Sequence, residues 1–575
     1  MAGIRCMGGT FSNRSELQNR LFAELSQMFG VEVPLYAKSL LVNQCCNETI
    51  GALLAARFPD FTLTAAQQAQ MSGERHGAIR IGRPDEYRWM GRFFAVFGME
   101  PHNYYDMTKL GAKSQPIIAT AFRSRRNPEH RIFCSLLMTD YFAPATRARL
   151  EAQLATREIF SAQAKALIEQ HEKQGGLTAK EATQLIEEAV QRIFKWTGRA
   201  RHYGLYQDLC AAGFKIAADI VCFESHHLNH LTPNTLWLDL YTAAMRHCLG
   251  ELSVADFRAR AAVVLARVAA RADHDYLRLH FRHLADEEIA GWESRVVPAA
   301  TLAELGDKLT ESLQATDLKL ADWPHAGFKE NTEGPAEDTP ILLRQDAYRA
   351  LTEPVVFTEP NGSQVAAMHT ARFGEIEQRF YATTPAGRSQ YDDCLTAAEA
   401  ARSALPRGAR ADFTATEKIY AAPFAVFPKT LSALLAQKLV YGYYRVTSAG
   451  RRAAAAGAIK LMAWPELIRS GYVVVDGLRY EDFLPVSAAG IFASNLKDGG
   501  TPSTAAEPVA YPQSRLAAIL GRKIIDTTLT YAGLAAESQQ QVLSELGLWD
   551  RLAPAEQAAL LAAIAQAHEA PVGGA

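Results

Sequence analysis

The chain has 575 residues, 48% apolar and 21% charged, a balance that excludes wholesale disorder, a collagen-like rod and a pure coiled coil. Its 60 Lys plus Arg against 62 Asp plus Glu leave a net charge of −2. That argues against a dedicated nucleic-acid or anionic-membrane binder and favours a small-molecule enzyme. At roughly 150 residues per domain, the length corresponds to three or four domains, or one large core with insertions. No apolar run reaches the ~18–20 residues of a membrane helix. The nearest, Ala453 to Trp464, is interrupted by Lys460. The opening Met-Ala-Gly-Ile-Arg-Cys lacks the basic-then-apolar pattern of a secretory signal. Eight cysteines without a C-x-x-C pair predict free thiols in a reducing cytoplasm and no structural zinc.

In chain order, Glu16 to Phe58 reads as helices, with Leu17, Leu21, Phe22, Leu25 and Met28 at helical spacing. His76 to Gly82 reads as a strand, Glu86 to Phe97 as a helix, and Ile117 to Arg123 and Arg131 to Thr139 as two further strands. This order predicts an α+β module with an antiparallel or mixed sheet. Ala145 to Thr197 is helical, broken at Gly175-Gly176 and restarted by the capping box Thr178-x-x-Glu181. Ala217 to Cys222 reads as a short strand leading into His226-His227-Leu228-Asn229-His230-Leu231-Thr232-Pro233. A mainly helical insertion is expected over 236–338, with Ser253 capping a helix whose apolar face runs from Val254 to Val268. Sheet texture returns at Ile341 to Gln345, Val355 to Thr358 and His369 to Arg379, with Asn361-Gly362 as a hairpin turn. Pro423 to Leu467 reads as mainly helical, Tyr472 to Val475 and Tyr480 to Ser487 as extended, and Ala555 to His568 as a helix before a frayed end. The implied divisions are 1–235, 236–338, 339–500 and an Ala-rich helical extension over 501–575.

Phosphate-loop, dinucleotide-binding, nucleophile-elbow and H-E-x-x-H motifs are absent. What remains is histidine and carboxylate on strand-like pieces. Alternation places His76, Ala78 and Arg80 on one face, either as a solvated surface or around something polar. His226, His227 and His230 have metal-ligand spacing for a helix, but Pro233 makes a long helix doubtful, and two of them read equally well as ordinary histidines. Phe373, Glu375, Glu377 and Arg379 share a strand face. Two like charges there require a cation or a metal if buried, or a Glu377–Arg379 pair if exposed. His274, His280 and His283 fit an amphipathic helix. Two histidines and one carboxylate from separate strands could form a facial triad for Fe(II), or a zinc site.

The segments ERHGAIRIG, HHLNHLTPNT, PILLRQDAYRAL, HTARFGEIEQR and YEDFLPVSAAGIFASNL, in this order, resemble the 2-oxoadipate dioxygenase/decarboxylase family, also called hydroxyglutarate synthase. The resemblance runs from about Val31 to Leu496, outside much of Leu236 to Asp338. It implies an α+β fold of the vicinal-oxygen-chelate type, with a central sheet carrying the metal, surrounding helices and a helical insertion. It implies a mononuclear Fe(II) held by His76, His230 and Glu375, choosing Glu375 over Glu377 and His230 over its neighbours. Arg80 would bind the substrate's far carboxylate as a catalytic and binding residue, and Val486 and Ser487 would line the other end. The implied reaction is 2-oxoadipate plus O2 giving 2-hydroxyglutarate plus CO2, a step of lysine catabolism. One oxygen atom ends in the new carboxylate and one in the hydroxyl. The implied partners are thus a small 2-oxo dicarboxylate and O2, with neither nucleic acid nor membrane. Phe380 stands where the family commonly has a small residue. The same residues also suit two other classes: a divalent-metal lyase or isomerase of the vicinal-oxygen-chelate type acting on a 2-oxo acid, and a non-catalytic metabolite-binding protein.

Overall fold

The first sheet begins with β1 (Glu74–Ile81), whose Ala78, Ile79 and Ile81 are all buried. A helix, Pro84–Val96, starts on a proline that pre-sets its first turn and returns the chain to β2 (Glu100–Asp106). β3 (Ile117–Arg123) and β4 (Arg131–Leu137) are buried at every position, as expected for interior strands covered on both faces. After helices over Pro144–Ala155, Ala162–Gln174 and Ala179–Glu188, β5 (Arg199–Arg201) and β6 (His230–Pro233) follow. The sheet order is β2-β3-β4-β1-β6, with β1 parallel to β4 and the other neighbours antiparallel. The structure is a computed structural model. It describes residues 5–6, 9–10, 12–109, 114–125, 128–281, 289, 291–323, 325–328, 332, 334–406, 413–484 and 511–568.

The second sheet is built on a long hairpin. β7 (His325–Phe328) and β5 flank β8 (Leu343–Thr358), which pairs antiparallel with β9 (Gln364–Arg379). The turn falls at Asn361-Gly362, where Gly362 has φ 82°. The two sheets meet where the Thr235 amide donates to the Glu377 carbonyl at 3.1 Å, and Asn234 bridges Glu377 in parallel. β9 thus runs beside the end of β6 and lays its inner face towards β1.

The helices of 236–338 are not detached from the rest. Leu238–Cys248, Val254–Arg271 and Ala299–Leu313 bury Tyr241, Phe257, Leu265 and Leu309 against Val42, Ile50 and Leu54 of the N-terminal helix Pro34–Arg57. Ser253 caps the second of them, accepting from the Asp256 amide. At the C-terminal end, Thr527–Glu545 and Pro554–His568 form a helical pair. Cys45, Cys46, Cys134, Cys210, Cys222, Cys248 and Cys394 are free, and among the described residues no helix is long and apolar enough to cross a membrane.

Three local expectations change. Ala217 to Cys222 is not a strand but most of a helix, Lys215–Cys222. The six residues, interrupted by Asp219, are too few for periodicity to decide. Gly213, at φ 85°, turns the chain out of the helix Tyr203–Ala211 and straight into it. Within the helical stretch 423–467 lies a strand, Gly442–Val446, paired antiparallel with Val473–Gly477; its Tyr-Tyr-Arg-Val is strand-forming once a partner is present. β2 has no sequence alternation, because Pro101 and a bulge between His102 and Tyr105 interrupt it.

Candidate active site

Strand register assembles the site. On β1, His76, Ala78 and Arg80 share a face. His76 stands opposite Thr232 of β6 and Arg131 of β4, and Ala78 stands opposite His230. Residues paired across strands share a face, so His76 and His230 fall on the same side of adjacent strands. Both are buried, with ring centroids 5.6 Å apart and planes nearly perpendicular. His76 Nε2 lies 2.9 Å from Thr232 Oγ1, and Nδ1 lies 2.9 Å from Glu377 Oε2. The Phe483 ring packs edge-on to His76 at 4.9 Å and lines a cavity of about 660 Å³ together with Tyr105, Tyr480 and Tyr531.

Glu377 is buried in a charged cluster. Arg379 grips it with two donors, at 2.7 and 2.9 Å, and Arg131 approaches at 3.3 Å. Burial alone would raise its pKa, but Arg379, His76 and Arg131 outweigh that and hold it well below the ordinary carboxylate range. Arg131 also pairs with Glu481. Arg123 pairs with Asp482 at 2.8 and 3.2 Å, and Asp482 accepts from Tyr531 at 2.6 Å. Arg379, Arg131 and Arg123 thus meet Glu377, Glu481 and Asp482 out of water, the pairing that buried charges require.

Of the expected ligands, His76 and His230 are brought together. Glu375 is on β9, two residues before Glu377 and on the same face by alternation, but its side chain lies outside the described residues. The strand that carries it meets the end of β6 at the Asn234–Glu377 bridge. Val486 and Ser487 lie outside the described residues, which end on this segment at Leu484. Arg80 is buried, with Nη1 at 3.3 Å from Asp219 Oδ2. His226 turns to Glu86, at 3.2 Å, and His227 packs on Trp196, at 4.5 Å between centroids. Phe380 is buried in the apolar cluster with Ile341, Tyr391 and Leu434.

Among the described residues, no group of three or more His, Cys, Asp or Glu is placed to hold a metal ion. The donor chemistry nevertheless fits a divalent cation. Two imidazoles converge from adjacent strands, and a carboxylate strand runs beside them. A carboxylate on His76 Nδ1 is the usual outer partner of a metal-binding histidine, which would present Nε2, now at Thr232, to the ion.

Sequence reasoning did not single out Thr232, Arg123, Arg131, Asp482 or Asp219. Arg123 and Arg131 were visible as the only charges in apolar strands, and a charge in a strand buried on both faces needs a carboxylate partner. Asp219 was hidden by the strand reading of its helix.

A family model described as 2-oxoadipate dioxygenase/decarboxylase matches residues 21–252 and 280–495. It therefore runs through most of 236–338, leaving out 253–279. A Pseudomonas putida protein named 2-oxoadipate dioxygenase/decarboxylase is 31% identical over 548 residues, 94% of this chain and 98% of that protein. An Escherichia coli protein of the same name is 30% identical over 495 residues, 84% of this chain and 88% of its own length. The crystal structure of the P. putida hydroxyglutarate synthase in complex with 2-oxoadipate superposes with a TM-score of 0.65 at 29% identity, over 94% of this chain and 99% of that one.

Proposed function

This chain belongs to the 2-oxoadipate dioxygenase/decarboxylase family, and we propose that it is an Fe(II)-dependent enzyme converting 2-oxoadipate and O2 into 2-hydroxyglutarate and CO2. The observation that carries the reading is the meeting of His76 and His230 on adjacent strands, beside a carboxylate-bearing strand and on the face that also holds Arg80. The metal ligands in this reading are His76, His230 and Glu375. Glu377, engaged by Arg379 and Arg131, acts as the outer carboxylate that fixes the His76 ring. Iron(II), when bound, supplies the reduction of O2 and a Lewis-acid seat for the carboxylate and keto oxygens of the 2-oxo acid. The protein orients the chain and excludes water. Arg80 takes the far carboxylate, for which a guanidinium fork is suited, and Phe483 covers His76 from the cavity side. Val486 and Ser487 are assigned to the remaining wall of the substrate site. A vicinal-oxygen-chelate ancestry is supported by the strand–helix–three-strand order of β1 to β4.

Anaerobic reconstitution with Fe(II), followed by air and 2-oxoadipate, tests the proposal. The expected result is one O2 consumed per CO2 released, with 2-hydroxyglutarate as the product. Turnover without O2 uptake would indicate a lyase, and tight 2-oxoadipate binding with iron loaded but no product would indicate a binding protein.

A further inference from the structure

Phe483 lines the cavity of about 660 Å³ and packs edge-on to His76, with ring centroids 4.9 Å apart. It also meets the Phe133 ring of β4 at 5.3 Å. His76 itself is buried and takes no part in the cavity wall, so the Phe483 ring stands between the cavity and the candidate metal site. The segment that carries the ring, Tyr480 to Phe483, belongs to no helix or strand. Its course is therefore set by the groups that hold it and not by a ladder of its own.

Three buried tyrosines that line the same cavity hold this segment. The Tyr531 hydroxyl accepts from the Glu481 amide at 2.8 Å and donates to Asp482 Oδ2 at 2.6 Å. The hydroxyls of Tyr105, on β2, and of Tyr480 donate to the Phe483 carbonyl at 3.3 and 2.8 Å. Arg379 adds Nη1 to the carbonyls of Tyr480 and Asp482, at 3.1 and 2.8 Å. Burial raises the pKa of each phenol, so each keeps its proton near neutral pH and goes on donating. Tyr531 holds two consecutive residues with one oxygen, and it does so from a helix that begins beyond residue 495, where the family match ends. A phenyl ring in its place would fill the same space and hold neither.

We propose that Tyr531 is a positioning residue for the active site: its hydroxyl pins Glu481 and Asp482, while Tyr105 and Tyr480 hold the next carbonyl, so that Phe483 stays closed over His76 and keeps water in the cavity from the metal site. This rests on the reading that His76 binds the metal. Without the hydroxyl, the Glu481 amide loses that acceptor and Asp482 loses its tyrosine donor. Local opening of the segment then costs less, and the ring leaves His76 more often.

The test reads the rate at which a ferrous chelator strips iron, without O2, from the full-length protein loaded with Fe(II), together with the equilibrium affinity for iron. Tyr531→Phe should strip about tenfold faster, the scale set by one hydrogen bond to a charged acceptor. Its iron affinity should change by less than about threefold, because an open cover speeds entry and exit alike and no ligand is touched. Tyr105→Phe loses one longer bond and should move the rate a few-fold in the same direction, which keeps the test decisive if Tyr531→Phe does not fold. Phe483→Leu should strip about as fast as Tyr531→Phe, and combining the two should add less than about twofold, since the cover is already open. Leu543→Ala, on the same helix but packed with Val446 and Val473, should leave the rate unchanged. The inference is overturned if both tyrosine variants strip at the wild-type rate, if the effects of Tyr531→Phe and Phe483→Leu multiply, if Leu543→Ala strips as fast as Tyr531→Phe, or if iron affinity falls in step with the rate. Wild-type protein that holds no iron, or a His76→Ala variant that holds it unchanged, would sink the metal reading, and this inference with it.

Discussion

Replacing Asp482 by Asn removes one carboxylate from the buried, ion-paired cluster beside His76. Arg123, buried on β3, would lose both charged contacts, at 2.8 and 3.2 Å, and keep backbone carbonyls of Ser124 and Arg125. Tyr531 would lose its charged acceptor. Breaking a buried pair by neutralising one member costs about 3–5 kcal/mol. The carbonyls left to Arg123 place the expected loss near the lower figure. The pH dependence follows from the direction of the Asp482 shift. Burial opposes its ionisation, but Arg123, His102 and Tyr531 hold its pKa below the ordinary value. A depressed carboxyl contributes stability that is complete above the unfolded pKa, ~3.9, and lost as pH falls through the folded one. The gap between wild type and Asp482→Asn should thus be full at pH 7 and pH 5, and close only in stronger acid. Urea unfolding followed by tryptophan fluorescence at these pH values measures it. A gap below ~1 kcal/mol at pH 7, within the range of a surface pair, or one that closes on the alkaline side, refutes the reasoning.

His76→Ala and Glu375→Gln should abolish iron retention after desalting, whereas Glu377→Gln should weaken iron affinity by about 10–100-fold, as loss of an outer partner does; iron analysis of the folded variants ranks them, and a Glu377 variant as iron-free as the Glu375 variant would exchange their roles. Arg80→Lys keeps the charge and loses the fork, so kcat/KM for 2-oxoadipate should fall markedly with iron still bound, and the preference over uncharged 2-oxo acids should weaken; steady-state kinetics on both substrates decide it. Gly387→Ala should cost at least about 1–3 kcal/mol, because its Cβ would clash with the Leu439 carbonyl oxygen, a backbone atom that cannot turn aside; thermal unfolding of the purified variant measures the loss.

Local pattern was enough for much of this chain. The alternation in ERHGAIRIG made β1 and put His76 and Arg80 on one face, and Asn361-Gly362 set the β8–β9 turn. The i, i+2 pair of glutamates calls for a cation if it is buried, and Arg379 and Arg131 meet the buried Glu377. These features depend on a few neighbouring residues, and the periods of strand and turn are carried by the chain itself.

Tertiary structure decided the remainder. The helix at 215–222 and the strand at 442–446 are segments too short for periodicity to distinguish, so their packing partners chose their form. The sequence pattern leaves Glu377 either an exposed partner of Arg379 or a buried acid. It is both paired and buried, because β9 folds over the β1 face and brings Arg131 and His76 to it from 246 and 301 positions away in sequence. The helix Thr527–Glu545, outside the family match, reaches the same cluster through Tyr531. Partners so distant leave no local periodic trace: a buried charge fixes that some counter-charge must come, and only the fold fixes which one arrives.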